Sequence, residues 1–396
     1  MKINELKVEG FRSLWDTEIK KFGPVNIIYG DNNSGKSNIL AALETAFRVE
    51  KLSSLESPVA GFYRSGLSDF TDSFSICDDG TTFKTANIYI RIELEKHDLE
   101  SLPKFWNFIS DNKLVGKAHN VFIGLTFEIE PVFKSNSTKS LKKATINKEI
   151  LFDVTKPVQD RFFPSISNSI TDIEVRQKPV EELFLKLINC FTLIHTDRHI
   201  SNENLIQAQP QLSSSQFKNW LRNISERRGS DYELFKQIQQ YFKEEPFSFG
   251  ILRPIVEEPI ADILVTSDSG RQLSIERLGT GVQQVLFLLS NLLSAKSKFI
   301  GLEEFELNLS PRLQNEALSF IRSKVHTIDG FCDQLFLTSH SMHLSKREDA
   351  VLYTAFIEAN KGTVVSRSSD SSNSTELRSH FDYGLVKLPD KPNWRY

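Results

Sequence analysis

A largely apolar run that empties into a glycine-bounded octapeptide constrains this chain more than any other feature. Val25-Asn26-Ile27-Ile28-Tyr29 reads as a buried strand, and the stretch from Ser37 to Phe47 carries apolar residues at positions 39, 40, 43, 46 and 47, the stripe of a helix. Between them lies Gly30-Asp31-Asn32-Asn33-Ser34-Gly35-Lys36-Ser37. A strand that turns this tightly into a helix aims successive backbone N–H groups and the positive helix end at one spot, where β- and γ-phosphates can sit. In that arrangement Lys36 reaches the phosphates and the Ser37 hydroxyl ligates Mg²⁺. An ordinary glycine turn ahead of a helix would look the same in isolation, so the reading needs partners elsewhere in the chain.

Three later segments supply them. Leu278-Gly279-Thr280-Gly281-Val282-Gln283-Gln284 leads into Val285-Leu286-Phe287-Leu288-Leu289, a glycine turn opening a buried helix and a second helix end suited to an anion. Lys298-Phe299-Ile300-Gly301-Leu302 reads as a short buried strand tipped by Glu303 and Glu304. Two carboxylates there are poor core material, because unpaired buried charge is costly. Gln334-Leu335-Phe336-Leu337-Thr338-Ser339-His340 repeats the plan, an apolar strand with a polar tip. His340 alone would read as a structural histidine; at the end of a strand that follows a carboxylate-tipped one, it reads as part of the site.

With these motifs in this order the chain resembles the ATP-binding-cassette ATPases, in the branch that holds RecF, the SMC proteins and the OLD-family nucleases. The opening Ile3-Asn4-Glu5-Leu6-Lys7-Val8-Glu9-Gly10-Phe11-Arg12-Ser13-Leu14 resembles that branch's first strand, and Asn32-Asn33-Ser34-Gly35-Lys36-Ser37-Asn38 its variant of the phosphate loop. Thr280-Gly281-Val282-Gln283 is similar to the cassette signature. The resemblance covers about residues 1–50 and 262–356. It implies an α/β head with a RecA-like phosphate-loop core, an antiparallel β lobe and a helical insertion. It also implies ATP and Mg²⁺ as cofactors. Gly30, Asn32, Asn33, Ser34, Gly35, Lys36, Ser37 and Asn38 would bind the nucleotide from one copy, and Thr280, Gly281 and Gln283 from a second copy in an ATP-dependent homodimer. Ser37 and Glu303 would direct Mg²⁺, Glu304 would be the base that activates water, and His340 the switch histidine.

Departures from the cassette pattern accompany the matches. No glutamine precedes Gln159, so the usual glutamine loop has no candidate. Asn308-Leu309-Ser310-Pro311 stands where many cassettes carry an aspartate, leaving Ser310 as the candidate for a polar contact across the dimer. Glu303 replaces the commoner aspartate and still offers a hard oxygen ligand. Two histidines and a carboxylate crowd into His195-Thr196-Asp197-Arg198-His199, but no further ligand group is nearby in sequence. That segment reads as a strand-end loop rather than a zinc site, with a structural or phosphate-sensing role for Arg198 implied by the resemblance.

The core is expected in residues 1–50 and 262–367, with the β lobe and helical insertion in 51–261 and a linker and tail in 368–396, all in a single ATPase unit. Ala86–Leu94 and Val121–Ile129 alternate as half-buried strands do, Pro179–Cys190 reads as helix, Phe191–Ile194 as strand and 213–244 as polar helices. No heptad pattern is sustained, so long coiled-coil arms are not expected. Lys134, Lys139, Lys142, Lys143 and Lys148 cluster in a stretch that reads as a solvated loop, with a phosphate-tracking patch as the alternative. Arg222, Arg227 and Arg228 in the polar helices invite the same two readings.

Residues 350–367 read as a hairpin, followed by the serine-rich 368–374 and a tail whose Phe381, Tyr383, Trp394 and Tyr396 either dock a partner or pack back. A TOPRIM nuclease is not expected after His340. With 39% hydrophobic residues among 396, no long apolar segment, no signal-peptide core and three unpaired cysteines, a cytoplasmic protein without membrane contact is expected. Lys+Arg 48 against Asp+Glu 51 leaves a net charge of −3, which counts against whole-surface DNA binding but leaves local DNA contact open. The resemblance in domain plan to the stand-alone ATPases of the Septu and PARIS systems points to a regulatory subunit of a two-component antiviral system, partnered by a separately encoded nuclease. A RecF-like DNA-repair ATPase is the alternative, and the missing glutamine loop and long middle insertion disfavour a transporter cassette.

Overall fold

The structure, a computed structural model, describes residues 1–47, 85–111, 120–132, 141–153, 182–183, 186–187, 190–195, 203–204, 217–257, 260–295, 297–327, 330–341, 344, 350–358 and 361–368. In chain order these begin with strands β1 (Lys2–Phe11), β2 (Leu14–Lys20) and β3 (Val25–Tyr29), then helix α1 (Lys36–Phe47) and β4 (Thr85–Glu93). Helices α2 (Lys96–Glu100) and α3 (Pro103–Asp111) precede β5 (Asn120–Val132), β6 (Leu141–Asp153), β7 (Phe191–Ile194) and β8 (Glu203–Asn204). Helices α4 (Phe217–Glu226) and α5 (Ser230–Lys243) lead to β9 (Ile251–Glu257), β10 (Ile260–Thr266) and β11 (Gln272–Ser274). The chain continues through a 3₁₀ turn (Ile275–Arg277), α6 (Thr280–Ser294), β12 (Phe299–Leu302), α7 (Pro311–Ser323), β13 (Gln334–Ser339), β14 (Val351–Glu358) and β15 (Gly362–Arg367).

One mixed sheet organises the molecule, in the order β6-β5-β4-β1-β2-β15-β14-β3-β13-β12-β7. Its parallel part places β3 between β13 and β14, with β12 and then β7 outward from β13. All five residues of β3 are buried, as a strand with cover on both faces requires. Its polar residue is satisfied: the Asn26 amide donates to the Gly23 and Leu335 carbonyls and accepts from the Gly23 N–H. The other part is an antiparallel run joined to the core through β14–β15 and the pairing of Gly362 with Leu14. The β lobe is therefore continuous with the nucleotide core through the same sheet. A second, four-stranded sheet contains β8 to β11.

Adjacent strand residues face opposite cores. Ile28, Phe299 and Phe336 belong to one apolar cluster with α1 and the interior of β1, β2 and β4. Ile27, Ile300, Leu335 and Leu337 belong to the other, with α4 to α7. This alternation locks the strand register, since a one-residue slip would exchange the two faces.

The strands expected at Ala86–Leu94, Val121–Ile129 and Phe191–Ile194 and the hairpin at 350–367 are all present. Residues 182–183 and 186–187 are helical, as expected. Two readings need correction. Lys142, Lys143 and Lys148 stand on strand β6 rather than in a loop, because β6 pairs along its full length with β5. The helices at 217–243 are not simply polar, for α4 buries Phe217, Trp220, Leu221 and Ile224, and α5 buries Phe235, Ile238 and Phe242. Their apolar residues recur at helical spacing and pack against β9 and β10 of the second sheet and against α6, which the surrounding charges obscured in the sequence. Residues 369–396, with the serine-rich link and aromatic tail, and residues 196–199 lie outside the described residues, as do Lys134 and Lys139.

Candidate nucleotide site

At the end of β3 the chain makes the turn that the octapeptide demands. Asn33 has φ of 62° and Gly35 of 91°, left-handed values that favour asparagine and glycine. A Cβ on Gly30 would collide with the Ala355 carbonyl, and one on Gly35 with the Thr363 hydroxyl. Both glycines thus let the loop lie flat against β14 and β15. Bonds from Ser34 N to Asp31 O, 3.2 Å, and from Gly30 N to Ser339 O, 3.3 Å, complete its frame.

Lys36 is only 5% exposed. Its ammonium donates to Gly30 O at 3.0 Å and Asp31 O at 2.6 Å, with Ser34 Oγ and His340 Nδ1 each at 3.4 Å. Among the described residues it makes no ion pair. Burial lowers its pKa, and the fields of Glu304, Glu306 and Asp31 only partly offset that effect. A buried cation ringed by carbonyls at the mouth of α1 is a site that an anion would complete. Asn32, Asn33 and Ser37 are exposed on the same turn, while Ser34 is buried. Asn38 supports the loop from behind: its amide donates to Ser13 Oγ at 2.8 Å and accepts from Arg12 at 3.4 Å.

The carboxylates arrive on β12. Glu303 N bonds Ile194 O at 3.0 Å, and its side chain, 12% exposed, has Oε2 at 3.1 Å from His195 Nδ1. Glu304 has φ of 43°, and its N–H donates to Thr338 Oγ1 at 2.9 Å. The bend turns its carboxylate toward the tip of β13, where His340 Nε2 lies 3.7 Å from Glu304 Oε1. His340 therefore sits between Lys36 and Glu304. The structure brings these three together from β13, β12 and the start of α1, as the strand order β3-β13-β12 requires.

Gly279 and Thr280 are exposed at the start of α6, whose first turn holds no acidic residue. A Cβ on Gly281 would lie 3.4 Å from Asn308 O and 3.5 Å from Leu313 Cδ1, so this turn is seated against the start of α7. Gln283 is buried and donates to Leu278 O at 3.2 Å. Ahead of it, the buried Lys218 of α4 pairs with Glu276 and, at 3.4 Å, with Asp262, tying the helical segment to the turn that leads into α6. Ser310, expected to reach across a dimer, has its hydroxyl engaged at home: it is the N-cap of α7 and accepts from Leu313 N, with Pro311 behind it.

Glu306, which accepts the His340 backbone N–H, escaped the sequence reading, although a charged residue two positions beyond the carboxylate pair was a signal for it. His195, read from sequence as part of a strand-end loop, stands just past β7 and partners Glu303, a contact that left no sign in the sequence. For Mg²⁺, the Ser37 hydroxyl and the Glu303 carboxylate are hard oxygen donors of the kind that ion takes.

A phosphate loop on an interior strand of a mixed sheet, with acids at the tip of the strand one removed, is the architecture of a P-loop ATPase head. The sequence profile of the AAA ATPase domain family (AAA_15) matches residues 1–344, and the chain belongs to that family. Among solved structures it is similar in fold to the Smc head domain with an extended coiled coil bound to the C-terminal domain of ScpA, derived from Pyrococcus furiosus. The identity is 12% and the TM-score 0.50, over 97% of this chain and 99% of that one. A second similar structure, the SMC head domain from Thermotoga maritima, is 13% identical with a TM-score of 0.45, over 93% and 99% of the two chains. No curated protein matches the chain. Among the described residues no helix is long and apolar enough to cross a membrane.

Proposed function

We propose that this chain binds ATP on the 30–38 loop and hydrolyses it with Glu304 as the base, in a site that a second copy closes. The observation that carries the reading is the buried Lys36 ammonium, which forms no ion pair among the described residues, with His340 between it and the Glu304 carboxylate. Triphosphate oxygens would replace the loop carbonyls as acceptors for Lys36, and the loop N–H groups would share the charge that develops during phosphoryl transfer. Glu304, 36% exposed, is open enough to take a proton from an incoming water. Ser37 and Glu303 would hold Mg²⁺, which supplies charge neutralisation on the phosphates when bound.

Closure by a second copy would exclude water from this open face and bring the turn of exposed Thr280 and half-buried Gly281, with Gln283 behind it, to the γ-phosphate. The acid-free first turn of α6 supports that assignment. We read the output as control of a separately encoded nuclease in a two-component antiviral system, with support from the resemblance in domain plan alone. Nucleotide state would set the affinity for that partner.

The test is Glu304→Gln. Loss of a general base lowers turnover by about 10²–10⁴-fold, while ATP binding persists and an ATP-dependent dimer accumulates on size exclusion. Wild-type turnover by this variant would remove Glu304 from the base role. Co-purification with the product of a neighbouring nuclease gene, with and without ATP, tests the regulatory half; salt-sensitive DNA binding by the chain alone would favour the repair reading.

A further inference from the structure

We infer that Glu306 is a positioning residue of the hydrolytic site: by accepting the His340 backbone N–H, it sets the imidazole between the Lys36 ammonium and the Glu304 carboxylate. The inference rests on the proposed hydrolysis and adds a residue to it.

His340 follows the last residue of β13. The ladder to β3 ends where Ser339 pairs with Tyr29, and the ladder to β12 ends where Leu337 pairs with Leu302. Beyond those ends no described strand supplies an acceptor for the His340 N–H, and a part-buried N–H left unpaired is costly. Glu306 reaches it with Oε1. Two further bonds hold the same turn to the same strand end, from Glu304 N to Thr338 Oγ1 at 2.9 Å and from Phe305 N to Thr338 O at 3.2 Å. The turn is thus stapled to β13 at Thr338 and, through the Glu306 side chain, at His340 itself. Leu307 N to Glu304 O, 2.9 Å, and Leu309 N to Glu306 O, 3.0 Å, tighten the turn from within.

The side chain is in place for more than packing. Its second oxygen, Oε2, is buried without a hydrogen-bond partner among the described residues. A half-satisfied buried carboxylate is destabilising by itself, and a nearby cation offsets that cost. Lys36 feels the Glu306 field, as does the Tyr29 phenol, whose pKa is raised by burial first and by Asp31 and Glu306 after it. Glu306 therefore fixes the His340 backbone while its charge and that of Lys36 lie within reach of each other's field.

Steady-state ATP turnover by wild type, Glu306→Ala and Glu306→Gln tests the role. Misplacing a catalytic group by about 1 Å costs on the order of 100-fold, so the alanine variant should lose at least about tenfold in kcat with KM shifted by less than about threefold. The glutamine variant keeps an amide oxygen for the same N–H and should recover most of that loss. Undiminished kcat in the alanine variant, or a glutamine variant as impaired as alanine, overturns the assignment. A readout without turnover separates this from the broader reading. The His340 imidazole NMR signals of the nucleotide-free protein should change in Glu306→Ala and return in Glu306→Gln. If the wild type fails to hydrolyse ATP, the proposed function falls, and the NMR comparison still decides whether Glu306 positions His340: unchanged signals in the alanine variant refute it.

Discussion

Replacing Lys36 by methionine should separate nucleotide binding from folding, because the ammonium is buried at a cost that only a bound anion recovers. Methionine keeps an unbranched apolar stem in a space where the lysine is 5% exposed, so the packing survives. The change deprives Gly30 O and Asp31 O of their charged donor, each bond worth about 1.5–3 kcal/mol. Against that, it removes a cation that burial destabilises and that no described carboxylate pairs with. The two effects oppose each other, so the net change is smaller than the hydrogen-bond loss alone, and a melting shift of a few degrees is expected for a chain of this size.

Binding has no such offset. Two hydrogen bonds from a charged donor to phosphate oxygens contribute about 3–6 kcal/mol together, which is about two to four orders of magnitude in affinity. Titration calorimetry with ATP and Mg²⁺ reads the binding, and scanning calorimetry reads the fold. A variant that binds ATP within about tenfold of wild type would refute the placement of the triphosphate at Lys36. Unfolding together with loss of binding would refute the claim that the ammonium is a burden to the empty loop.

Two further outcomes follow from local geometry. Gly35→Ala forces a side chain into φ of 91° and against Thr363 and Ser13, which combines about 1–2 kcal/mol of backbone strain with about 1–3 of overpacking. Gly270→Ala, at φ of 79° with nothing within 4 Å, should cost the strain alone; equal losses in a denaturant titration would show that the Thr363 contact is not what constrains the loop. Burial pushes the Cys332 thiol up to about 12 and the Cys190 thiol up to about 11, from an ordinary 9.0. Native protein at pH 8 should therefore leave both unalkylated by iodoacetamide in peptide mass spectra, while unfolded protein labels them. Below pH 9 both states keep these protons and stability is indifferent to them. Above it the unfolded chain releases protons that the native state retains, so their contribution falls as pH rises toward 11 and 12; a chain that gains stability across that window through these thiols would contradict their burial.

What the sequence made legible was local chemistry. Val25–Tyr29 announced itself because a strand covered on both faces must be apolar almost throughout, and the next eight residues could do little but turn, with glycine at the positions that approach Ala355 and Thr363. Glu303-Glu304 and His340 were visible for a related reason, as charged or polar tips on apolar strands that have no use for them as core. The half-buried strands of the β lobe showed their period of two. Helices α4 and α5 were harder to weigh, since residues such as Lys218 are charged in sequence and buried in the fold. Lys218 is 1% exposed and compensated by acids that lie on other elements, and no pattern along the helix marks such a pairing.

The partners of the site were illegible for a deeper reason. His195 meets Glu303, and Glu306 meets His340, only because β7, β12 and β13 run parallel in adjacent positions, β7 and β12 ending on one rung and β13 two residues beyond it. Parallel strands must be joined by long crossovers, so residues that touch at the strand tips are necessarily distant in sequence, and local period carries no trace of them. The same geometry explains why polar groups collect there. Each strand exhausts its ladder partners at its last paired residue, and the next N–H or carbonyl must be satisfied by a side chain or a ligand. At the Thr338 carbonyl, the Ser339 carbonyl and the His340 N–H that requirement is met by Phe305 N, Gly30 N and the Glu306 carboxylate in turn. Strand order thereby dictates which acids stand beside Lys36, and a circular exchange of β12 with β7 in that order would disperse the site while leaving every motif intact in the sequence.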